Sequence, residues 1–275
     1  MGCFSFNKKA ALAQSTNETS QSQSSETQND TIEEEEEEMM YIKLLEGNPK
    51  SIEALKSVFH LKMKRGKTKE AIEYVERLID VEPKEVEWKL LQALCYEMIG
   101  EYSKAKTFFK KILKERPLLL RALHGLAMLM HKNHEGPAVF EMLNNALEIA
   151  RQKKRVPEER NIKILIAQMH VVKTEWDTWR ALDCPHGELD DALKLFKDLI
   201  DENPRDFRPY LCQGIIYSLL DRNEEAEQQF STYRSLLPDE FPERGFLDDV
   251  VLAAKMEVRQ KRKNELLKPE FLYKK

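Results

Sequence analysis

Apolar residues along this chain recur at the three- and four-residue steps of an α-helix, in short segments separated by polar turns. The stretch from Trp88 to Pro117 shows the pattern most plainly. Ala93 and Tyr96 share one face of a first helix, and Gly100 permits a tight turn. Ala105 then lets a second helix approach closely. Phe109 and Ile112 continue its apolar stripe until Pro117 stops it. The pattern predicts an all-α fold of helical hairpins.

The hairpin repeats with a period of 34 residues. Pro49, Pro83 and Pro117 keep that interval, as do Gly66 and Gly100, Ala71 and Ala105, Ala192 and Ala226, Phe196 and Phe230, and Pro204 and Pro238. Agreement among several residue classes rules out coincidence. The small, aromatic, Gly, Ala and Pro positions resemble the tetratricopeptide repeat (TPR), which implies a right-handed solenoid of antiparallel helix pairs. The phase predicts units at 52–85, 86–119, 120–154 (degenerate), 155–206 and 207–240, with a half-repeat helix over 32–50 in front and a capping helix over 241–265 behind.

Two segments depart from the period. Residues 1–31 are rich in Ser, Thr and Gln and poor in large apolar side chains, so a disordered tail is expected, with Thr31 capping the first helix. The run Glu33–Glu38 then reads as a solvated helix start. Ala167 and Ala192 stand 25 apart where Ala93 and Ala105 stand 12 apart, which assigns a 13-residue insertion to 174–186. Its Trp176 and Trp179, three residues apart, are a candidate interface that extends the preceding helix.

Charge narrows the classes of function. The net charge is −4, of which residues 1–40 supply −7 (nine acids, two lysines), leaving +3 elsewhere. That remainder provides no broad basic surface, so nucleic acid is not an expected partner. Four scattered cysteines without a C-x-x-C pair suggest neither a disulfide framework nor a zinc knuckle. No phosphate loop, nucleophile elbow or H-E-x-x-H is present. His131 and His134 are read as turn residues, and no metal, cofactor or catalysis is expected.

Function is therefore sought on the faces of the first helices. Repeat phase assigns a partner-binding groove to Lys56, His60, Leu90, Leu94, Glu97, Arg121, His124, Met128, Gln168, Arg208 and Leu211. Apolar members of that set also suit packing between helices. A chaperone-tail carboxylate clamp would place its donors at Lys56 and His60, Leu91, and Arg121 and Gly125, which supplies too few of them.

Three stretches are similar to a narrower family: Pro157–Lys173, Glu202–Arg222 and Phe241–Lys255. They resemble the plant SLOW GREEN-type TPR proteins. The resemblance implies a chloroplast setting, a role in chloroplast development, and no chemistry of its own. The first thirty residues lack arginine and turn acidic early for a transit peptide. The resulting expectation is a noncatalytic scaffold that binds one or more proteins through the groove. The alternatives are a cytosolic cochaperone-like module and an RNA-binding helical repeat.

Overall fold

A computed structural model describes residues 23–178, 186–242 and 244–266. Among them are twelve helices and no strand: α1 (Gln23–Gly47), α2 (Ile52–Lys64), α3 (Thr68–Val81), α4 (Val86–Met98), α5 (Tyr102–Glu115), α6 (Leu120–Lys132), α7 (Gly136–Gln152), α8 (Val156–Thr178), α9 (His186–Glu202), α10 (Phe207–Leu219), α11 (Asn223–Leu236) and α12 (Arg244–Leu266). They fall into two compact units divided between Ile149 and Ala150.

Local chemistry sets the helix ends at the repeat period. Pro49, Pro83, Pro117, Pro204 and Pro238 each stand two residues past the last residue of α1, α3, α5, α9 and α11, where a missing N–H and a fixed φ cost nothing. Ser51, Glu85 and Asp206 then cap α2, α4 and α10 by accepting backbone N–H bonds from Ala54, Glu87 and Arg208. Between the two helices of a pair, Gly66 and Gly100 turn the chain at φ 72° and 82°. His134 and Asp221 hold the same turn position at φ 60° and 59°. Each turn closes with one bond to the carbonyl five residues back, such as Lys67 N to Lys62 O and Arg222 N to Tyr217 O. His134 thus owes its place beside His131 to the turn.

The packing rests on three positions of every second helix. They are Ala71, Val75 and Leu78 in α3; Ala105, Phe109 and Ile112 in α5; and Val139, Leu143 and Ala146 in α7. In the second unit they are Ala192, Phe196 and Leu199 in α9, then Ala226, Phe230 and Tyr233 in α11. All fifteen are buried. Two of the rings need a neighbour without a side chain. A Cβ on Gly125 would lie 2.5 Å from Phe109, and one on Gly214 would lie 2.5 Å from Phe230.

In the first unit, α1 docks through buried Leu45, with Tyr41 and Ile42 beside it, and through charge. Glu34 and Glu38, four apart and so on one helical face, meet Lys62, Lys64 and Arg65. Glu38 is central: its carboxylate is 2.8 Å from Lys62 and 2.6 Å from Arg65, and Glu70 closes on Lys62 at 2.5 Å. Burial alone would depress the Lys62 ammonium, but Glu38 and Glu70 prevail and hold it above its ordinary value. The reading of Glu33–Glu38 as a solvated start is corrected to this extent, because two of the six carboxylates are committed to α2.

The second unit has its own polar hub in the turn before α10. The Asp206 carboxylate receives Arg160 Nε at 2.9 Å and Arg208 Nη2 at 2.7 Å. Burial opposes its ionisation, but the two guanidinium groups outweigh burial and hold the carboxyl below its usual range. Arg160 also donates to the Leu199 carbonyl at 3.0 Å, tying α8 to α9 and to the start of α10. The cap α12 buries Leu247, Val250, Val251 and Ala254, and its Lys255 pairs with Glu227 of α11.

Two segment boundaries differ from the sequence reading. Helix α1 starts at Gln23, eight residues ahead of Thr31 and inside the stretch expected to be a tail. No Gly or Pro lies between Gln23 and Glu46, so nothing stops the glutamate-rich helix from propagating backwards. Residues 1–22 lie outside the described residues. Helix α8 runs on to Thr178, so the first five residues assigned to the insertion prolong a first helix. Trp179 and the side chain of Trp176 lie outside the described residues.

Gly125→Ala and Gly214→Ala should each cost about 1–3 kcal/mol in urea unfolding, since a rigid ring must shift in a filled core. Glu38→Ala should cost about 2 kcal/mol, since it removes the carboxylate shared by Lys62 and Arg65 and leaves them only Glu70 and the more distant Glu34. Hydrogen exchange checks the second point: protection should fall across 34–46 while α4 and α5 keep theirs.

Candidate functional site

The first helices of the first unit are α2, α4 and α6, and the period stacks their exposed positions in rows. His60, Leu94 and Met128 form one row at 34-residue spacing, with His60 exposed and the other two half-buried. Met98, one turn beyond Leu94, is 63% exposed. These residues make an apolar strip with a histidine at one end.

The charges beside this strip are engaged across the repeats. Arg121 Nη1 holds both oxygens of Glu87, at 2.6 and 2.7 Å. Lys132 meets Glu97 at 2.5 Å. Lys56 Nζ sits 4.8 Å above the Trp88 ring, whose indole N–H donates to Glu82 at 2.9 Å. Lys56 and Arg121, assigned to the groove by phase, therefore act within the repeat frame. Each exposed pair contributes little by itself, but a ligand carboxylate would have to displace an existing partner.

His124 lies behind the strip on α6. Burial holds its imidazole below the usual 6.5, with Glu97 only partly opposing the shift. Leu90, placed on the wall by phase, is 1% exposed and belongs to the core. It holds the place in α4 that Leu211 holds in α10, where Leu211 packs with Ala226, Phe230 and Tyr233 of the second helix α11.

In the second unit the equivalent face is closed. Leu211 is 2% exposed and is likewise removed from the wall. Arg208 is committed to Asp206 and to the Asn161 amide oxygen at 2.8 Å. Gln168 is half-buried and directs its amide at Cys212 Sγ, 3.9 Å away. Beside the hub a shallow cleft of about 520 Å³ is lined by Val156, Glu159, Arg160, Lys163, Glu202 and Asn203. Its charges pair with one another, including Lys163 with Glu202 at 2.6 Å and with Glu159 at 3.3 Å.

The sequence reading missed Glu38 and Asp206, although each carboxylate bridges two basic side chains. A signal did exist for Asp206, which precedes a first helix at the same phase as the N-cap Glu85. Nothing local marked Glu38 among six successive glutamates.

Among the described residues no group of three His, Cys, Asp or Glu side chains is placed to hold a metal ion. Nor is any described helix long and apolar enough to cross a membrane. Cys95 and Cys212 are buried thiols outside any disulfide, and burial pushes the Cys95 thiol up to about 11, so it stays protonated and unreactive.

The depressed imidazole at His124 gives a pH dependence of definite sign. The unfolded chain binds the proton more readily, so stability is full above 6.5 and declines as the pH falls below it. Thermal melts at about pH 5 and about pH 7.5 should differ, and His124→Asn should reduce that difference.

Comparison with known proteins agrees with this architecture. A tetratricopeptide repeat family model matches residues 59–118. The chloroplastic protein SLOW GREEN 1 of Arabidopsis thaliana is 36% identical over 204 residues, which cover 74% of this chain and 60% of that protein. The chain thus spans less than two thirds of that relative's length. Among solved structures, a tetratricopeptide repeat protein from Parabacteroides merdae superposes with a TM-score of 0.53 and 19% identity, over 83% of this chain and 80% of that one, a likeness of fold alone. Periodic turns and buried second-helix positions give this chain a tetratricopeptide repeat fold, and over most of its length it is similar to SLOW GREEN 1.

Proposed function

We propose that this chain is a noncatalytic scaffold that holds a segment of another protein on the first-helix face of its first unit. The observation that carries the reading is the strip His60, Leu94, Met98 and Met128, left exposed or half-exposed while neighbouring charges are paired. Methionine and leucine at one-turn spacing suit an apolar helical face or alternate side chains of an extended segment, and methionine adapts to irregular partners. The whole set Lys56, His60, Leu94, Glu97, Arg121, His124 and Met128 frames that surface, with the charged members acting at its rim.

The setting is proposed from the relative. SLOW GREEN 1 is chloroplastic, and its similarity supports a plastid location and a part in chloroplast development. The cochaperone alternative fares worse, because a carboxylate clamp needs free cations and Arg121 already binds Glu87 through both oxygens. An RNA-binding repeat would need a basic wall, and this one is apolar with paired charges.

Affinity capture from chloroplast extract should compare the parent chain with Leu94→Glu/Met128→Glu, both at equal helicity. Plastid proteins retained by the parent and lost from the variant, by about tenfold or more, are the expected result. Identical retention, or no retained protein with either chain, would sink the proposal. An acidic C-terminal peptide that bound in an Arg121-dependent manner would instead revive the clamp.

A further inference from the structure

Along the outward faces of the second helices of the first unit, α5 reverses the charge of its neighbours. At one position α3, α5 and α7 carry Glu73, Thr107 and Glu141; at the next Glu76, Lys110 and Asn144; at a third Asp80, Lys114 and Glu148, all nine exposed. Lys104 and Lys111, also exposed, extend the basic run of α5 where α3 has Glu70 and Arg77. Packing makes no demand at such positions, and a change of charge there costs little stability. The period therefore does not explain the lysines.

The carboxylates around α5 are engaged by other cations. Glu115 pairs with Lys89 at 2.9 Å, Glu135 with Lys106 at 2.5 Å, and Glu101 lies 3.6 Å from Lys104. Lys111 Nζ stands 5.4 Å from the centre of the Phe108 ring, a contact that leaves its charge uncompensated. Among the described residues Lys110, Lys111 and Lys114 meet no carboxylate in an ion pair. The helix dipole favours a cation in the last turn of α5, which accounts for Lys114 and for none of the others.

We propose that this outward ridge of α5 is a docking surface for an acidic segment of a partner protein. Width selects the occupant. The lysines form a stripe one helix wide, which from Lys104 to Lys114 runs about 15 Å at the rise of an α-helix. Exposed carboxylates flank it on both neighbouring second helices: Glu73, Glu76 and Asp80 on α3, Glu141 and Glu148 on α7. Arg77 does not offset the first flank on the ridge side, since it donates to the Pro49 carbonyl at 3.0 Å. An anionic bilayer or a nucleic-acid duplex is broader than one helix and would press its own negative charge onto those flanks. A single acidic strand or helix fits within the stripe and is repelled on either side, which fixes its course as well as its sign. Lysines are flexible point charges, so they suit several Asp or Glu side chains in succession. The stripe stands on a second helix, whereas Leu94, Met98 and Met128 stand on first helices, so this proposal and the partner-binding proposal fail independently.

Fluorescence anisotropy tests it with the full chain and a labelled decaglutamate peptide, from about 1 to about 100 µM protein at low and high salt. The variants are Lys110→Glu/Lys114→Glu on α5 and, with the same change of net charge, Lys194→Glu/Lys197→Glu on α9, all at exposed positions. The parent should bind the peptide saturably at low salt and lose it as salt rises. The α5 variant should bind about tenfold more weakly or worse, while the α9 variant and Leu94→Glu/Met128→Glu bind as the parent does. A parent that shows no saturable binding at low salt overturns the proposal without recourse to any variant. So does an α9 variant that loses as much as the α5 variant, which would make the attraction one of net charge alone. Phosphatidylcholine vesicles containing phosphatidylglycerol, and a DNA duplex, serve as rival probes. Either one bound more tightly than the peptide, and released by the α5 substitutions, would assign the ridge to that class and overturn the proposal. Self-association of the parent that the α5 variant abolishes would do the same in favour of a second copy.

Discussion

Every pair of helices in this protein depends on one packing constraint. The three inward positions of each second helix must fill the space left by the first helices on either side, at interior density and without strain. At two of the second-helix phenylalanines a first helix gives up its side chain, as Gly125 does for Phe109 and Gly214 for Phe230. Where the second helix carries alanine, the helices approach directly. Large and small residues thereby exchange places along the chain while the spacing of the helices is kept, and the 34-residue period is the trace of that exchange.

The same constraint explains which charges are available for recognition. A fixed spacing between repeats brings residues one period apart within reach, and Glu87 with Arg121 is such a pair. Lys106 with Glu135 and Lys132 with Glu97 likewise bridge neighbouring elements. Each exposed pair adds only a fraction of a kcal/mol, about 0.2–1 in typical measurements. Their larger effect is to occupy cations that would otherwise attract acidic ligands. What remains open along the row of Leu94, Met98 and Met128 is apolar.

The sequence by itself determined the repeat. Proline after each second helix, glycine at two of the turns and small residues at the close approaches are local demands of backbone geometry, legible wherever they recur. It did not reveal that His134 and Asp221 would hold the same left-handed turn as Gly66 and Gly100, because residues other than glycine give no distinctive signal there. Periodicity likewise placed Leu90 and Leu211 on a surface, whereas only packing against the second helices decided that they are buried. Which of six glutamates anchors α1, and that Arg121 is spent on Glu87, were decided by the tertiary structure alone. Such choices depend on distances between elements far apart in the chain, and a one-dimensional pattern contains no distances.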